Sequence, residues 1–388
     1  MKKSILKIMC IALGLAMMVP LFASCGGAIE VPKFSDDTIK IGASGPLTGG
    51  AAVYGQAVQN GAMLAVYEIN EAGGLDGIKF SFEMYDDQHD AKRVENGYYN
   101  LQEKGMQISL GCVTSTPCLA YATLAAQDNI FFLTPSASND KVPENANAYQ
   151  MCFADGNQGK VAADYVNGLG LTKIGIFYKS DDDYSKGIYD QFKANLNNTV
   201  ATVEASFQGE ATDFTNQVDT LKDCEFIFMP LYYGPASNFM IQANGKVANN
   251  ATYYGCDGFD GIDAIEGFDI SAIPQKIQML SHFNSKATSG AAKEFVDKYT
   301  ENFGTETLNQ FGAAAYDCVY AIYNALKAAK AAGATVDGTT AATVICELLK
   351  GQFNGDFTYS GVTGENIKWE STGFVNKSAV AYVIKEAN

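Results

Sequence analysis

The stretch "ISLGCVTSTP", Ile108 to Pro117, decides the fold. An apolar run climbs to Val113 and stops on Thr114, Ser115 and Thr116, closed by a proline. That order reads as a buried strand handing the chain to a helix. Thr116 is the expected N-cap and Pro117 the first helical residue. The helix should then run through Leu119 and Leu124 to about Gln127. Four uses for the hydroxyls are open: a nucleophile, a phosphate cradle, a grip for another anion, or a plain helix cap.

Outward from this stretch the same alternation repeats. "IKIGAS", "KFSFEMY", "IFFLTP", "YQMCFA", "KIGIFY", "FIFMPL", "TYYGCD" and "IQMLSHF" are further strand candidates. Between them lie helical patterns. Val58, Ala62, Ala65, Val66 and Ile69 share a face, and Gly73-Gly74 ends that helix. Ala292, Phe295, Val296, Tyr299 and Phe303 form another stripe. Alternating strands and helices predict an α/β fold with mostly parallel sheets. Such sheets bind ligands beyond the carboxyl ends of their strands. The residues to watch are therefore "GASGPLTGGAAVYG", "TSTP", "PSAS", "ADGNQG", "KSDDDYSKG", "LYYG" and "CDGFDG". They are rich in Ser, Thr, Asp and Tyr and poor in basic residues. No G-x-x-x-x-G-K-[ST] loop is among them, which speaks against a phosphate ligand.

The start of the chain has another purpose. Lys2, Lys3 and Lys7 precede an apolar run from Ile8 to Phe22, followed by "FASCGG". This is the layout of an export leader, too short for an ordinary membrane span of roughly 20 residues. "FASC" also resembles a bacterial lipoprotein box, with Phe22 where Leu is preferred. Residues 1–24 are thus the expected signal peptide, Cys25 the lipidation site, and 25–37 a polar tether. Secretion after a cut near Ser24 is the other reading. Losing the three lysines takes the net charge from −16 to −19. So acidic a chain, with no basic run, is a poor match for nucleic acid.

Seven cysteines follow Cys25, an odd number with no C-x-x-C, mostly inside apolar runs. They read as buried thiols acting as small hydrophobes. The two histidines, His89 and His282, offer little to a metal site or a Ser-His pair. No metal and no cofactor is expected.

A helix start bearing Ser115 and Thr116 can hold an anion without any fixed positive charge. Its natural guest is a carboxylate. Ser136 and Ser138 of "TPSAS" stand at the next strand tip, and Asp257 and Asp155 at two others. A carboxylate grip facing an isolated Asp suits a zwitterion. Taken singly, each signal has an ordinary reading. Hydroxyls before a helix cap it, Asp257 before Gly258 makes a turn, and Tyr54, Tyr184 and Tyr232 are surface or core aromatics.

Taken in order, "IKIGASGPLTGGAAVYGQ", "EINEAGG", "YDD", "PSAS", "DGNQG", "YSKG" and "YYGCDG" resemble the leucine/isoleucine/valine-binding protein family. These are substrate-binding proteins of ABC importers with the type I periplasmic-binding fold. The likeness extends from Thr38 to about Ile384. It implies two Rossmann-like lobes with parallel central sheets, joined by three crossover strands. Lobe 1 would hold 38–155 plus 284–360, and lobe 2 156–283 plus 361–388. It implies that Ser115 and Ser138 hold the substrate carboxylate, with Val113, Thr114, Thr116 and Ala137 beside them. The Ser136 carbonyl and Asp257 would take the ammonium, assisted by Asp155. Tyr54, Tyr184, Tyr232 and Phe311 match aromatic pocket positions. The best-known members carry a disulfide whose partners fall here on His89 and Thr114.

The expected protein is a monomeric, exported receptor, lipid-anchored outside the cytoplasmic membrane or in the periplasm. It would bind a free amino acid, a branched aliphatic one first, and deliver it to an ABC permease with its ATPase subunits. The anchor is its expected membrane contact. The rivals are a receptor of the same fold for an aromatic acid, urea or short amide, and a serine hydrolase using Ser115. The hydrolase lacks a G-x-S-x-G elbow, and neither histidine stands at a strand tip unless His282 does, at the second crossover. A sensor module would need a membrane span or signalling domain that the sequence does not display.

Overall fold

The computed structural model describes residues 29–387; the expected leader and Cys25 lie outside them. The first lobe starts with β1 (Thr38–Gly45), α1 (Ala52–Glu71), β2 (Lys79–Asp86), α2 (Ala91–Glu103), β3 (Ile108–Cys112), α3 (Ser115–Gln127), β4 (Phe131–Thr134) and β5 (Ala148–Gln150). The second contains α4 (Asp155–Gly168), β6 (Lys173–Lys179), α5 (Asp183–Asn195), β7 (Ala201–Phe207), α6 (Thr215–Leu221), β8 (Phe226–Met229), α7 (Tyr233–Ala243), β9 (Thr252–Gly255) and β10 (Lys276–Ser281). The chain then returns through α8 (Gly290–Phe303), α9 (Gln310–Ala331) and α10 (Ala342–Phe353) before β11 (Val380–Lys385).

Two sheets result. One has the order β2-β1-β3-β4-β5 and is parallel throughout. The other runs β7-β6-β8-β9-β10-β11, parallel except for β11. The expected two-lobed α/β architecture is thus the observed one. In each sheet the order of connection reverses once, between β1 and β3 and between β6 and β8. Loops leave such a reversal in opposite directions and open a crevice beyond the strand ends. The two crevices face each other across the cleft.

Strands β7 and β11 were not among the expected strands. Both are edge strands with half-exposed side chains, so the continuous apolar run of a buried parallel strand is missing. Helix α9 packs along α1, and α10 lies on β3 and β4, placing residues 290–353 on the first lobe. The expected return to the second lobe at residue 361 is corrected by the structure. Tyr359 pairs with Ile367 and Trp369 with Val375. The Trp369 indole N–H donates to the Gln150 carbonyl at 2.8 Å, and the Gln150 N–H donates to the Gly373 carbonyl at 3.0 Å. These bonds satisfy the outer edge of β5, so 361–375 stays with the first lobe and β11 alone rejoins the second sheet.

Gly111 explains the glycine inside "SLGCV". Its φ is +64°, a left-handed conformation that favours glycine. A Cβ there would lie 2.0 Å from the Phe132 ring. The cysteines from Cys112 to Cys346 are all buried and unpaired. Among the described residues no helix is long and apolar enough to cross a membrane.

Candidate functional site

Helix α3 starts earlier than its proline indicates. Thr114 is the N-cap residue and Ser115 the first helical one, so Thr116 is not the cap and Pro117 is third. A proline fits there because the first N–H groups of a helix have no intrahelical partner. Thr114 does not cap with its side chain; its hydroxyl meets His89 Nδ1 at 2.8 Å. A hydrogen bond therefore joins the two positions where relatives were expected to carry a disulfide. It also brings His89 to the strand tip, contrary to expectation, though its partner is Thr114 and not Ser115.

The turn after β4 is tied to this tip. Thr134 Oγ1 donates to the Cys112 carbonyl at 2.9 Å and accepts the Ala137 N–H at 3.0 Å. Ser136 Oγ donates to the Val113 carbonyl at 2.6 Å. These bonds hold Ser115 and Ser138 at one end of a small cavity of about 10 Å3.

The second lobe closes the other end. The Tyr184 hydroxyl donates to Asp257 Oδ1 at 2.6 Å and accepts the Gly258 N–H at 2.9 Å. Gln158 accepts the Asp257 N–H at 3.0 Å. A Cβ on Gly258 would fall 2.7 Å from both the Leu231 carbonyl and the Tyr184 hydroxyl, so only glycine permits this approach. Tyr54 reaches across from α1. Its hydroxyl donates to the Gly258 carbonyl at 2.5 Å and accepts the Tyr233 N–H at 3.1 Å. Phe311, in the first turn of α9, sets its ring edge to Tyr54, centroids 5.1 Å apart.

Tyr54, Val113, Thr114, Ser115, Ser136, Ser138, Tyr184, Tyr232, Asp257 and Phe311 line this cavity with Gly258. Three expected residues do not. Thr116 Oγ1 turns to the rim and donates to Asp183 Oδ2 of the second lobe at 3.0 Å. Ala137 is buried with its N–H on Thr134 and its carbonyl on Gln150. Asp155 stands behind the wall, on a wider rim cavity with Asn139, Asp140 and Asp182; its N–H donates to the Ser138 carbonyl at 2.8 Å. Sequence reading missed Gly258 and Gln158. Gln158 follows Asp155 by three residues on a helix start, the spacing that puts both on one face.

The charges are one-sided. Burial pushes the Asp257 carboxyl up to about 6, against the hydrogen bond from Tyr184. Burial, and then Asp257 itself, holds Asp155 well above the usual carboxylate range. Buried carboxyls without a cation favour their neutral form, and a ligand cation would reverse this. Among the described residues no group of His, Cys, Asp and Glu is placed to hold a metal ion.

A small cavity at two facing switch points, lined from both lobes, defines a solute-binding protein of the two-lobed class. The model of the periplasmic binding protein family matches residues 38–387. The chain belongs to this family, that of the leucine/isoleucine/valine-binding periplasmic proteins. The Leu/Ile/Val-binding protein BraC3 of Rhizobium johnstonii is 30% identical over 240 residues, 58% of this chain and 63% of that protein. A branched-chain amino acid transporter substrate-binding protein of Streptococcus pneumoniae, solved with isoleucine, superposes with a TM-score of 0.77 at 27% identity, covering 90% of this chain and 99% of that one. A solute-binding protein of R. palustris solved with benzoate gives 0.76 at 18% identity, covering 90% and 94%, a likeness of fold alone.

Proposed function

We propose that the protein is the extracytoplasmic substrate-binding component of an ABC importer and that it captures a free amino acid between its lobes. One observation carries this reading: buried Asp257 faces, across a small cavity lined from both lobes, the hydroxyl-bearing start of α3. Ser115, Ser138 and the first N–H groups of α3 hold the ligand carboxylate. Asp257 holds the ammonium, with the Ser136 carbonyl beside it and Asp155 behind it. Val113, Phe311 and the tyrosine rings enclose the side chain. The relatives' names direct the first trial to branched aliphatic amino acids.

The protein delivers its ligand as a monomer to a permease with ATPase subunits and is held to the membrane by lipid on Cys25. Each buried methylene of such a lipid contributes ~0.8 kcal/mol, so two or more chains anchor stably. The benzoate-bound neighbour makes an aromatic acid the second reading, and the aromatic rings of the cavity favour it. Against it, an aromatic acid brings no cation to Asp257, whose buried carboxyl would stay without a charged partner.

A thermal-shift screen of the soluble protein against the common amino acids and benzoate decides between them. A ligand at 100 times its Kd raises stability by ~2.7 kcal/mol. A shift with amino acids and none with benzoate supports the proposal; the opposite pattern refutes it.

A further inference from the structure

The three cavity tyrosines are not alike. The hydroxyls of Tyr54 and Tyr184 each donate one hydrogen bond and accept another within the protein. Tyr232 has a partly buried ring, stacked on Tyr184 at 4.6 Å and 10° and edge-on to His89. Its hydroxyl oxygen is buried and has no hydrogen-bond partner. Tyr232 lines the ligand cavity with Tyr54, Tyr184 and Asp257, and burial first, then nearby Asp182, raises its hydroxyl well above the usual range.

A buried hydroxyl without a partner is costly, and a purely aliphatic ligand would leave it so. We infer that the physiological ligand is an α-amino acid whose side chain ends in a neutral hydrogen-bonding group, a hydroxyl or a carboxamide, received by the Tyr232 hydroxyl. The surrounding carboxyls favour a side chain that donates and disfavour an acidic one. This rests on the amino-acid reading above and concerns the ligand's side chain alone. A site built to hydrogen-bond a substrate group discriminates sharply against the analogue that lacks it.

The test titrates serine, threonine, asparagine, glutamine, valine, leucine and isoleucine into the wild-type protein and into Tyr232→Phe, which keeps the ring and its stacking. The expected result is at least tenfold tighter binding of one polar probe than of leucine, valine or isoleucine. In Tyr232→Phe the ratio of polar to aliphatic affinity should fall at least tenfold. Tightest binding of an aliphatic amino acid by the wild type overturns the inference while the amino-acid reading stands. An unchanged ratio in a folded Tyr232→Phe protein also overturns it. If no amino acid binds the wild type, both readings fall together.

Discussion

At the scale of single residues the account turns on Asp257. Its carboxyl is raised from 3.8 to about 6 by burial, so the folded site prefers the protonated form. The linked stability is fully present below the unfolded value of 3.8 and is lost as pH rises through about 6. Ligand binding carries the opposite sign, because an ammonium needs Asp257 ionised. Affinity should therefore hold near pH 7.5 and weaken as pH drops through about 6, roughly tenfold by one unit below. Tyr184→Phe removes a hydrogen bond that lowers this carboxyl, so the midpoint should move to higher pH and neutral-pH affinity should fall. Calorimetric titration at several pH values reads both effects; a flat profile between pH 5 and 7.5 would contradict the role of Asp257. Residue chemistry of this kind was largely legible in the sequence, since Ser115, Ser138 and Asp257 each follow a strand. The aim of each side chain was not. Thr116 and Thr114 flank Ser115 in the same run, yet one faces the opposite lobe and the other His89. A shift of two residues in the helix start decides which.

At the scale of elements, the tip of β3 depends on its backbone as much as on its hydroxyls. Gly111→Ala puts a Cβ against the Phe132 ring at a φ of +64°. The left-handed conformation costs ~1–2 kcal/mol and the forced overpacking a further ~1–3. We expect a destabilisation of roughly 2–5 kcal/mol from the two together, read by denaturant unfolding, and weaker binding because the turn carries Ser115. A melting curve equal to that of wild type would show that the turn tolerates another shape. The buried strands were plain in the sequence because parallel strands covered on both faces are continuously apolar. The edge strand β7 has Glu204 in its middle, and the segment 361–375 is polar. Its place on the first lobe is set by the distant Gln150, which meets Trp369 and Gly373, a pairing that no local pattern announces.

At the scale of the whole molecule, bonds cross the cleft both at the cavity, where Tyr54 meets Gly258, and away from it. Thr116 Oγ1 reaches Asp183, and Asn139 Nδ2 donates to the Asp183 carbonyl at 3.1 Å. Thr116→Ala removes one such bond, worth ~0.5–1.5 kcal/mol. All ligands should then bind roughly 2- to 10-fold more weakly by the same factor, with their order unchanged, since the loss falls on the closed population. A change in ligand preference would place Thr116 in the cavity after all. The central claim is that two lobes close on a zwitterion, with its carboxylate on the start of α3 and its ammonium on Asp257. It is tested most directly by calorimetric titration of the tightest-binding amino acid beside its amide and its deaminated acid. The deaminated acid leaves the buried Asp257 carboxyl without its partner, a loss of ~3–5 kcal/mol, and the amide gives up charge-assisted hydrogen bonds to the serines and the helix start, ~1.5–3 kcal/mol each. We predict that both bind at least 100-fold more weakly than the amino acid, whereas equal affinity for the deaminated acid would contradict the account.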